Sequence, residues 1–386
     1  MVFSNAALLY REAKALAENG FEVDVIDIRK NKKDKNYQCF NGINLYHIQT
    51  RPFAENNMKL YFFRIVLFFL KSTLLLTYWG VKKRYTLIHV TTPPDIMVFA
   101  AFVPKLLGAK IILDIHDIGP ELFMRKLSVT EDQTIIRILK FFEKISSKFA
   151  DHVITVTDIW KNRLVSRSVS QTKCTVILNV PDTHLFRPLP QNILRSSNNF
   201  NLYYHGSLEE HFGVDTLINA MPIIKRNIPD VKLHIYGGGR LDSEFKALAR
   251  KFNMDGVINF YDKVPFYELP RVLMNADIGI VPTKDSVFSD EAVSMKSLEY
   301  ISLGIPIVIS NTKAHRLYYN SSMVKFFEPN NKYELAKAVI SLYQDEAEKR
   351  SLVCNSHAFL QTHGWNQSKK IYHQIVYRLI SDLKNK

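Results

Sequence analysis

Short apolar runs alternate along the chain with stretches in which apolar residues recur every three or four positions. This alternation predicts βαβ units that build parallel sheets. In the first half, the pattern predicts strands at residues 22–28, 87–90, 110–114, 152–157 and 175–179. In the second half, it predicts strands at residues 201–204, 231–236, 257–261, 278–282 and 307–310.

The helical-period stretches fall between these strands. They predict helices at residues 6–19, 94–107, 135–149, 214–225, 244–252, 269–275, 295–302, 332–344 and 367–386. A doubly wound domain ordinarily opens with a strand and a glycine-containing turn, whereas this chain reaches its first helix within a few residues. We therefore expect the first strand of the fold to be missing.

A chain of 386 residues is longer than one hydrophobic core usually serves, which predicts two domains. The polar stretch 187–199 separates the two series of strands and marks the boundary. We expect Rossmann-like domains at 1–188 and 189–364, with the helix 365–386 packing back on the first. Such domains bind ligands in the crevice at the carboxyl ends of their strands.

The charge balance narrows the range of partners. Lys and Arg number 51 against 37 Asp and Glu, a formal net charge of +14. This favours binding to phosphates, anionic lipid or nucleic acid. Basic and aromatic residues interleave at 61–85 without an RRM or helix-turn-helix pattern, so no nucleic-acid partner is expected. Three cysteines without metal spacing indicate a reducing compartment, and no secretory signal is evident at the N-terminus, so we expect a cytoplasmic protein.

Residues 58–84 form the most apolar segment of the chain. Arg64 and Lys71 interrupt it, which favours an amphipathic helix over a membrane span. Such a helix can lie in the interface of an anionic membrane, with Trp79 at headgroup depth and basic contacts from Arg64, Lys71, Lys82, Lys83 and Arg84. The alternative is a buried core helix whose cations extend to solvent.

Two groups of polar residues are candidates for chemistry. Glu291 and Glu299 stand eight positions apart around a predicted helix start, where backbone N–H groups favour an anion. An acidic pair on an ordinary solvated helix has the same spacing. His116 and Asp117 follow the strand 110–114 at its carboxyl end, where a histidine can hydrogen-bond a sugar hydroxyl; the alternative is a histidine that caps its own loop. Asp117 and Glu121 are acceptor-side candidates; the alternative for Glu121 is a surface carboxylate.

The segment 291–310, EAVSMKSLEYISLGIPIVIS, resembles the E-x7-E signature of the retaining glycosyltransferases of family 4, which have the GT-B fold. The likeness continues in REAKALAENGFEVDVI, ILDIHDIGPEL, YYHGSLEEHFGVDTLINA and LHIYGGG. By position, the resemblance implies that Glu299 holds the nucleotide ribose and that Glu291 contacts the donor sugar. It also places Lys296 near the diphosphate and His116 at the donor sugar.

The sequence departs from this family where two cations usually neutralise the diphosphate. The family has Gly-Arg and then Lys-Gly, whereas this chain has Gly206-Ser207 and Phe212-Gly213. His211 and Lys296 are candidates to supply that charge. Arg240 is a further candidate, the alternative being that the glycines before it simply make a turn.

The resemblance implies a retaining, metal-independent glycosyltransferase without a cofactor. We expect a nucleoside diphosphate sugar as donor and a lipid-linked or polysaccharide acceptor of cell-surface glycan synthesis, at the inner face of a bacterial membrane. Two alternatives remain open: a nucleotide-sugar epimerase, and a non-catalytic, membrane-associated GT-B subunit.

Overall fold

The computed structural model describes residues 7–29, 35–50, 58–188 and 199–384, and the chain divides into two compact units. The first comprises Met1–Leu178 and Ser368–Lys386, and the second comprises Asn179–Gln367. The predicted boundary at 188/189 lies ten residues beyond the observed division at 178/179, and most of the predicted linker 187–199 lies outside the described residues.

The first unit alternates helices and strands. In chain order its elements are α1 (Ala7–Ala17), β1 (Val23–Arg29), β2 (Tyr37–Phe40), β3 (Ile43–Thr50), α2 (Met58–Lys83), β4 (Leu87–Thr92), a 3-10 helix (Asp95–Ala101), α3 (Phe102–Leu106), β5 (Lys110–Ile115), α4 (Gly119–Leu127), α5 (Thr134–Phe149), β6 (His152–Thr155), α6 (Asp158–Arg167), a 3-10 helix (Gln171–Lys173), β7 (Cys174–Val176) and, at the C-terminus, α14 (Trp365–Lys384).

These strands form two sheets. One has the order β1-β3-β2 and the other, all parallel, has the order β4-β5-β6-β7. β1 and β4 each lie at the end of a sheet, and among the described residues no strand pairs with their free edges. In an ordinary doubly wound fold, the strand that precedes the first helix pairs with both of these strands and joins the two sheets into one.

The second unit is a single doubly wound layer. Its elements are β8 (Phe200–Ser207), a 3-10 helix (Glu210–Phe212), α7 (Val214–Asn227), β9 (Val231–Gly238), α8 (Asp242–Lys251), β10 (Ile258–Tyr261), α9 (Leu269–Leu273), β11 (Ile278–Val281), α10 (Met295–Ser302), β12 (Ile307–Ser310), α11 (Lys313–Tyr318), β13 (Lys325–Phe327), α12 (Lys332–Gln344) and α13 (Glu346–His363). Its six parallel strands have the order β10-β9-β8-β11-β12-β13.

Burial explains why β11 and β12 have almost continuous apolar sequences. All four residues of β11 and of β12 are buried, as expected when helices cover both faces of a parallel sheet. One large cluster packs α7, α8 and α12 on the central strands.

The C-terminal helix α14 completes the core of the first unit. Tyr372, Ile375 and Val376 pack against Ile112 and Ile154 of its parallel sheet. This is the packing that the sequence analysis expects for residues 365–386.

Glycines shape the turns after the central strands of the second unit. Gly206 (φ +129°) and Gly213 (φ +67°) have backbone angles that L side chains rarely adopt. A Cβ atom on Gly213 would lie 1.8 Å from the carbonyl oxygen of Pro282. A side chain at position 213 would therefore force the turn or the end of β11 to shift.

Candidate functional site

The two glutamates of the E-x7-E segment lie on different elements of the second unit. Glu291 is buried in the loop before α10, and Glu299 lies in the second turn of that helix. Ser294 stands at the N-cap position and leaves the first N–H groups of α10 without a side-chain cap. The spacing predicts this placement of one carboxylate in a loop and one in a helix.

Glu299 is held by a histidine of strand β8. The Nε2 atom of His205 lies 2.5 Å from Oε2 of Glu299, and its Nδ1 atom lies 3.0 Å from the hydroxyl of Tyr300. That hydroxyl donates to the carbonyl oxygen of Tyr203 at 2.9 Å. His205 thus bridges the hydroxyl of Tyr300 and the carboxylate of Glu299. Because one partner is a carboxylate, Glu299 and His205 form a buried, charge-assisted pair.

Lys296 brings a buried cation to the end of β8. It is 9% exposed, and its ammonium lies 3.9 Å from the centroid of the Phe212 ring and 5.4 Å from that of Tyr204. No carboxylate within ion-pair distance of this ammonium is recorded among the described residues. Burial lowers the pKa of Lys296 to about 8, although Glu299 opposes this shift.

Gly206 gives the Lys296 side chain its space. A Cβ atom at position 206 would lie 2.5 Å from Cε and 3.1 Å from Nζ of Lys296. Ser207 is half-buried beside it, and the ring of His211 contacts that of Phe212 at 4.0 Å between centroids. All five predicted donor-side residues therefore belong to the second unit, and Lys296 lies directly against Gly206.

His116 belongs to the first unit, directly after β5. Its Nε2 atom lies 2.5 Å from Oδ2 of Asp114, which is fully buried within that strand. Burial alone would lower the pKa of His116, but Asp114 outweighs it and raises the pKa to about 8. At neutral pH this histidine is therefore an imidazolium paired with a carboxylate. Asp117 is half-buried beside it, and burial raises the pKa of its carboxyl group.

The acceptor-side role suggested for Glu121 is wrong. Its side chain is 1% exposed, and both carboxylate oxygens accept from Arg167, at 2.7 and 2.9 Å. Arg167 also pairs with the buried Glu143. Glu121 thus helps to compensate a half-buried guanidinium that joins α4, α5 and α6, and it is neither a surface carboxylate nor available to a ligand.

Helix α2 has an exposed apolar stripe. Phe63, Val66, Leu70, Leu74, Tyr78 and Val81 recur at intervals of three or four and are each between 38% and 72% exposed. This helix is also long and apolar enough to cross a membrane, with a mean hydropathy of 1.7 in its best window. Its opposite face packs on the first unit through Ser72, Trp79 and Gly80.

The predicted membrane contact of Trp79 is wrong. Its ring is buried against Tyr46, at 4.5 Å between centroids, and also contacts Tyr85. The cations predicted with it differ in environment: Lys71, Lys82, Lys83 and Arg84 are exposed and Arg64 is half-buried. Lys83 is in addition paired with Asp24 at 2.5 Å.

The sequence analysis missed two residues that orient the predicted ones. His205 directly precedes the glycine singled out after the first strand of the second unit, and Asp114 stands two positions before His116. Alternation along a strand places residues i and i+2 on the same face, which was the available signal for Asp114. No local pattern links His205 with Glu299, because 94 positions separate them in the chain.

Comparison with known families identifies the chain. The family model described as "Glycosyltransferase Family 4" matches residues 6–185, and that described as "Glycosyl transferases group 1" matches residues 188–358. The chain belongs to the family 4 glycosyltransferases. It is therefore a glycosyltransferase with the GT-B fold, as the motifs imply.

Relatives of this family 4 glycosyltransferase are distant in sequence. A chitobiosyldiphosphodolichol beta-mannosyltransferase of Candida glabrata is 22% identical over 83% of this chain and 77% of its own length. An uncharacterised glycosyltransferase of Haemophilus influenzae is 24% identical over 85% of this chain and 83% of its own.

Solved structures share the fold. Sucrose-phosphate synthase from Thermosynechococcus elongatus has a TM-score of 0.77 at 18% identity, covering 99% of this chain and 98% of that one. Anabaena HepE, solved in complex with UDP-glucose, has a TM-score of 0.67 at 17% identity, covering 86% of each chain.

Proposed function

We propose that this glycosyltransferase moves a sugar from a nucleoside diphosphate donor to a lipid-linked or polysaccharide acceptor of the cell surface. In this proposal the reaction retains the anomeric configuration and needs neither a metal ion nor a cofactor. The donor is bound by Gly206, Ser207, His211, Lys296 and Glu299 of the second unit.

The observation that carries the proposal is the buried ammonium of Lys296. A buried cation without a carboxylate partner costs several kcal/mol, and an anionic ligand offsets that cost. Lys296 lies against Gly206 and Phe212. These two residues belong to Gly206-Ser207 and Phe212-Gly213, the pairs that stand where the family has Gly-Arg and Lys-Gly. Lys296 thus supplies from α10 the charge that the family supplies from the loop after β8, and it stabilises the leaving diphosphate.

The carboxylates have separate roles. Glu299, oriented by His205, accepts hydrogen bonds from the ribose hydroxyls, and Glu291 accepts from the hydroxyls of the transferred sugar. His116 donates to the transferring sugar. The uncapped N–H groups at the start of α10 add a second source of positive potential for an anion.

A lipid-linked acceptor is supported by the exposed stripe of α2 and by relatives with lipid acceptors in their names. The stripe is apolar, whereas Lys71 and Lys82 expose positive charge on the same helix and Arg84 exposes it directly after the helix. Such a helix suits the interface of an anionic membrane, and we propose that the protein is peripheral at the inner membrane face.

The proposal is tested by ligand binding and then by transfer. A thermal-shift panel of UDP, GDP, ADP and their sugar conjugates identifies the nucleotide, since a ligand at 100 times its Kd adds about 2.7 kcal/mol of stability. We expect one base to be selected, transfer to continue in EDTA, and Lys296→Met to lose turnover. Lys337→Met is the matched control because Lys337 is exposed on α12 of the same unit.

Each alternative has its own outcome. An epimerase consumes the nucleotide-sugar with no acceptor present, and a non-catalytic subunit gives no thermal shift with any nucleotide. Stereochemistry is decided by NMR of the anomeric proton of the product. The Candida relative is named for a beta-mannosyl product, so an inverted anomer here is the outcome that removes retention from the proposal.

A further inference from the structure

Two imidazole rings share one carboxylate oxygen in the first unit. Oδ2 of Asp114 lies 2.5 Å from Nε2 of His116 and 3.3 Å from Nε2 of His89. The other oxygen of Asp114, Oδ1, is buried and has no hydrogen-bond partner. The orientation of this carboxylate is therefore fixed by the two histidines alone.

His89 is itself anchored from both sides. Its Nδ1 atom lies 2.9 Å from the hydroxyl of Tyr372 on α14, and its Nε2 atom lies 3.6 Å from the buried carboxylate of Glu12 on α1. The His89 ring thus spans from the C-terminal helix to Asp114 and cannot rotate without losing a bond at each nitrogen.

An ionised carboxylate only accepts hydrogen bonds, so both Nε2 atoms carry protons toward Asp114. For His116, this leaves Nδ1 as the one ring nitrogen directed away from Asp114. No hydrogen bond to that atom is recorded among the described residues. The His116 side chain is 20% exposed, so its remaining nitrogen is accessible to a ligand.

The charges around His116 determine whether its Nδ1 atom carries a proton. Three carboxylates, Asp114, Glu12 and Asp117, face it, whereas the neighbouring positive groups are His89, Arg11, Arg125 and Lys126. Burial lowers the pKa of His116, but the carboxylates raise it to about 8 overall. At neutral pH, Nδ1 therefore bears a proton and is a donor.

We propose that Asp114 and His89 are positioning residues that hold His116 in one orientation, with its Nδ1–H group offered to a hydroxyl of the transferred sugar. The inference rests on the proposed function for the presence of a sugar at His116. The arrangement of the three side chains stands independently of it.

The test is an NMR titration of the histidine rings in the complete protein, with Asp114→Asn as the variant. Asparagine keeps an oxygen that can accept from His116 but removes the negative charge. We expect the His116 pKa to fall by about one unit or more in the variant. His211, in the second unit, is an internal control whose titration stays unchanged.

Kinetics supply the second readout. We expect kcat/KM of the wild type to fall above pH 8, as Nδ1 loses its proton, and the fall to begin at lower pH in Asp114→Asn. His89→Gln removes the ring and its hydrogen bonds to Tyr372 and Asp114. We expect kcat to fall about 10-fold in this variant and KM to rise by less. Thermal melting separates these effects from loss of fold.

Failure of the inference and failure of the function give different results. An unchanged His116 pKa in Asp114→Asn overturns the inference, even if transfer is normal. A shifted pKa in a protein that transfers no sugar leaves the positioning intact and overturns the proposed function.

Discussion

The ammonium of Lys296 lies 3.9 Å from the centroid of the Phe212 ring. Phe212 itself stands where the resemblance to the family places a lysine. A cation over an aromatic face is stabilised by the ring quadrupole, but less than by a carboxylate. The contact holds the ammonium in place without neutralising it. With a pKa of about 8, Lys296 therefore remains mostly protonated at pH 7 and can pair with an anionic ligand.

Replacing this lysine should stabilise the protein while it removes activity. The pKa of Lys296 is lowered from 10.5 to about 8, so the folded state binds fewer protons than the unfolded state between these values. Charge burial thus costs stability at pH 7, and the cost disappears as pH rises above the unfolded pKa. We expect Lys296→Met to gain on the order of 2–3 kcal/mol at pH 7 by urea denaturation. A loss of stability in Lys296→Met would contradict the idea that burying this charge destabilises the folded protein.

The loop cation of the family should rescue that variant. Ser207→Arg places a guanidinium at the end of β8, where the family has Gly-Arg, and a phosphate group can accept two hydrogen bonds from a guanidinium. In the Lys296→Met background we expect this second change to recover about 10-fold in kcat with the identified donor. Ser207→Gln, long and polar but uncharged, is the control. Equal recovery by both changes would mean that charge is not what Lys296 supplies.

Donor affinity should depend on His205. In His205→Phe the buried Glu299 carboxylate loses its charge-assisted partner, at a cost of about 1–3 kcal/mol in the free energy of unfolding. We expect the Kd of the nucleotide to rise at least 10-fold by calorimetry. Tyr300→Phe removes only the hydroxyl and keeps the bond between His205 and Glu299, so its Kd should change much less. Similar losses in both variants would show that general packing, and not the orientation of Glu299, sets affinity.

Gly213→Ala separates steric exclusion from backbone strain. Both Gly213 and Gly256 have φ near +70°, but a Cβ meets Pro282 O at 1.8 Å in the first case and nothing within 4 Å in the second. We expect Gly256→Ala to cost about 1 kcal/mol, from the backbone angle alone. Gly213→Ala should cost about 2 kcal/mol more, because the turn or the strand end must shift. Comparable denaturation midpoints for the two variants would disprove the close approach.

Vesicle binding should depend on the exposed stripe of α2. Leu70→Glu with Leu74→Glu introduces two charges on that stripe and should abolish sedimentation with vesicles of phosphatidylcholine and phosphatidylglycerol. Leu317→Glu is a matched control, since Leu317 is 54% exposed and Leu70 52%. If the double variant still sediments, the helix is not the membrane contact. Sedimentation of the wild type with vesicles of phosphatidylcholine alone shows how much of the binding depends on anionic lipid.

The sequence predicts five of the six strands of the second unit because these segments are rich in apolar residues and lie between turn residues; the short β13 was not predicted. The first unit is less predictable. The hairpin of β2 and β3 is absent from the predicted elements, and β2 is exposed along its whole length and lacks an apolar run. Residues 94–107 were predicted as one helix but begin as the 3-10 helix Asp95–Ala101.

The site residues divide in the same way. A motif locates Glu291, Lys296 and Glu299, because its spacing follows one helix and its preceding loop. Their partners come from other strands and other parts of the chain, so only the tertiary structure pairs His205 with Glu299. Periodicity also misplaced Trp79: it shows which residues of a helix share a face, but not which face the rest of the protein covers.

The second unit is inserted into the first, since the chain returns from Gln367 to the first unit in its closing helix. During synthesis, every residue of the second unit leaves the ribosome before Tyr372, whose hydroxyl holds His89. The part encoded later can therefore finish folding first, while the part that carries His116 waits for the last helix. A chain that ends at Gln367 should therefore complete the second unit while His89 still lacks Tyr372.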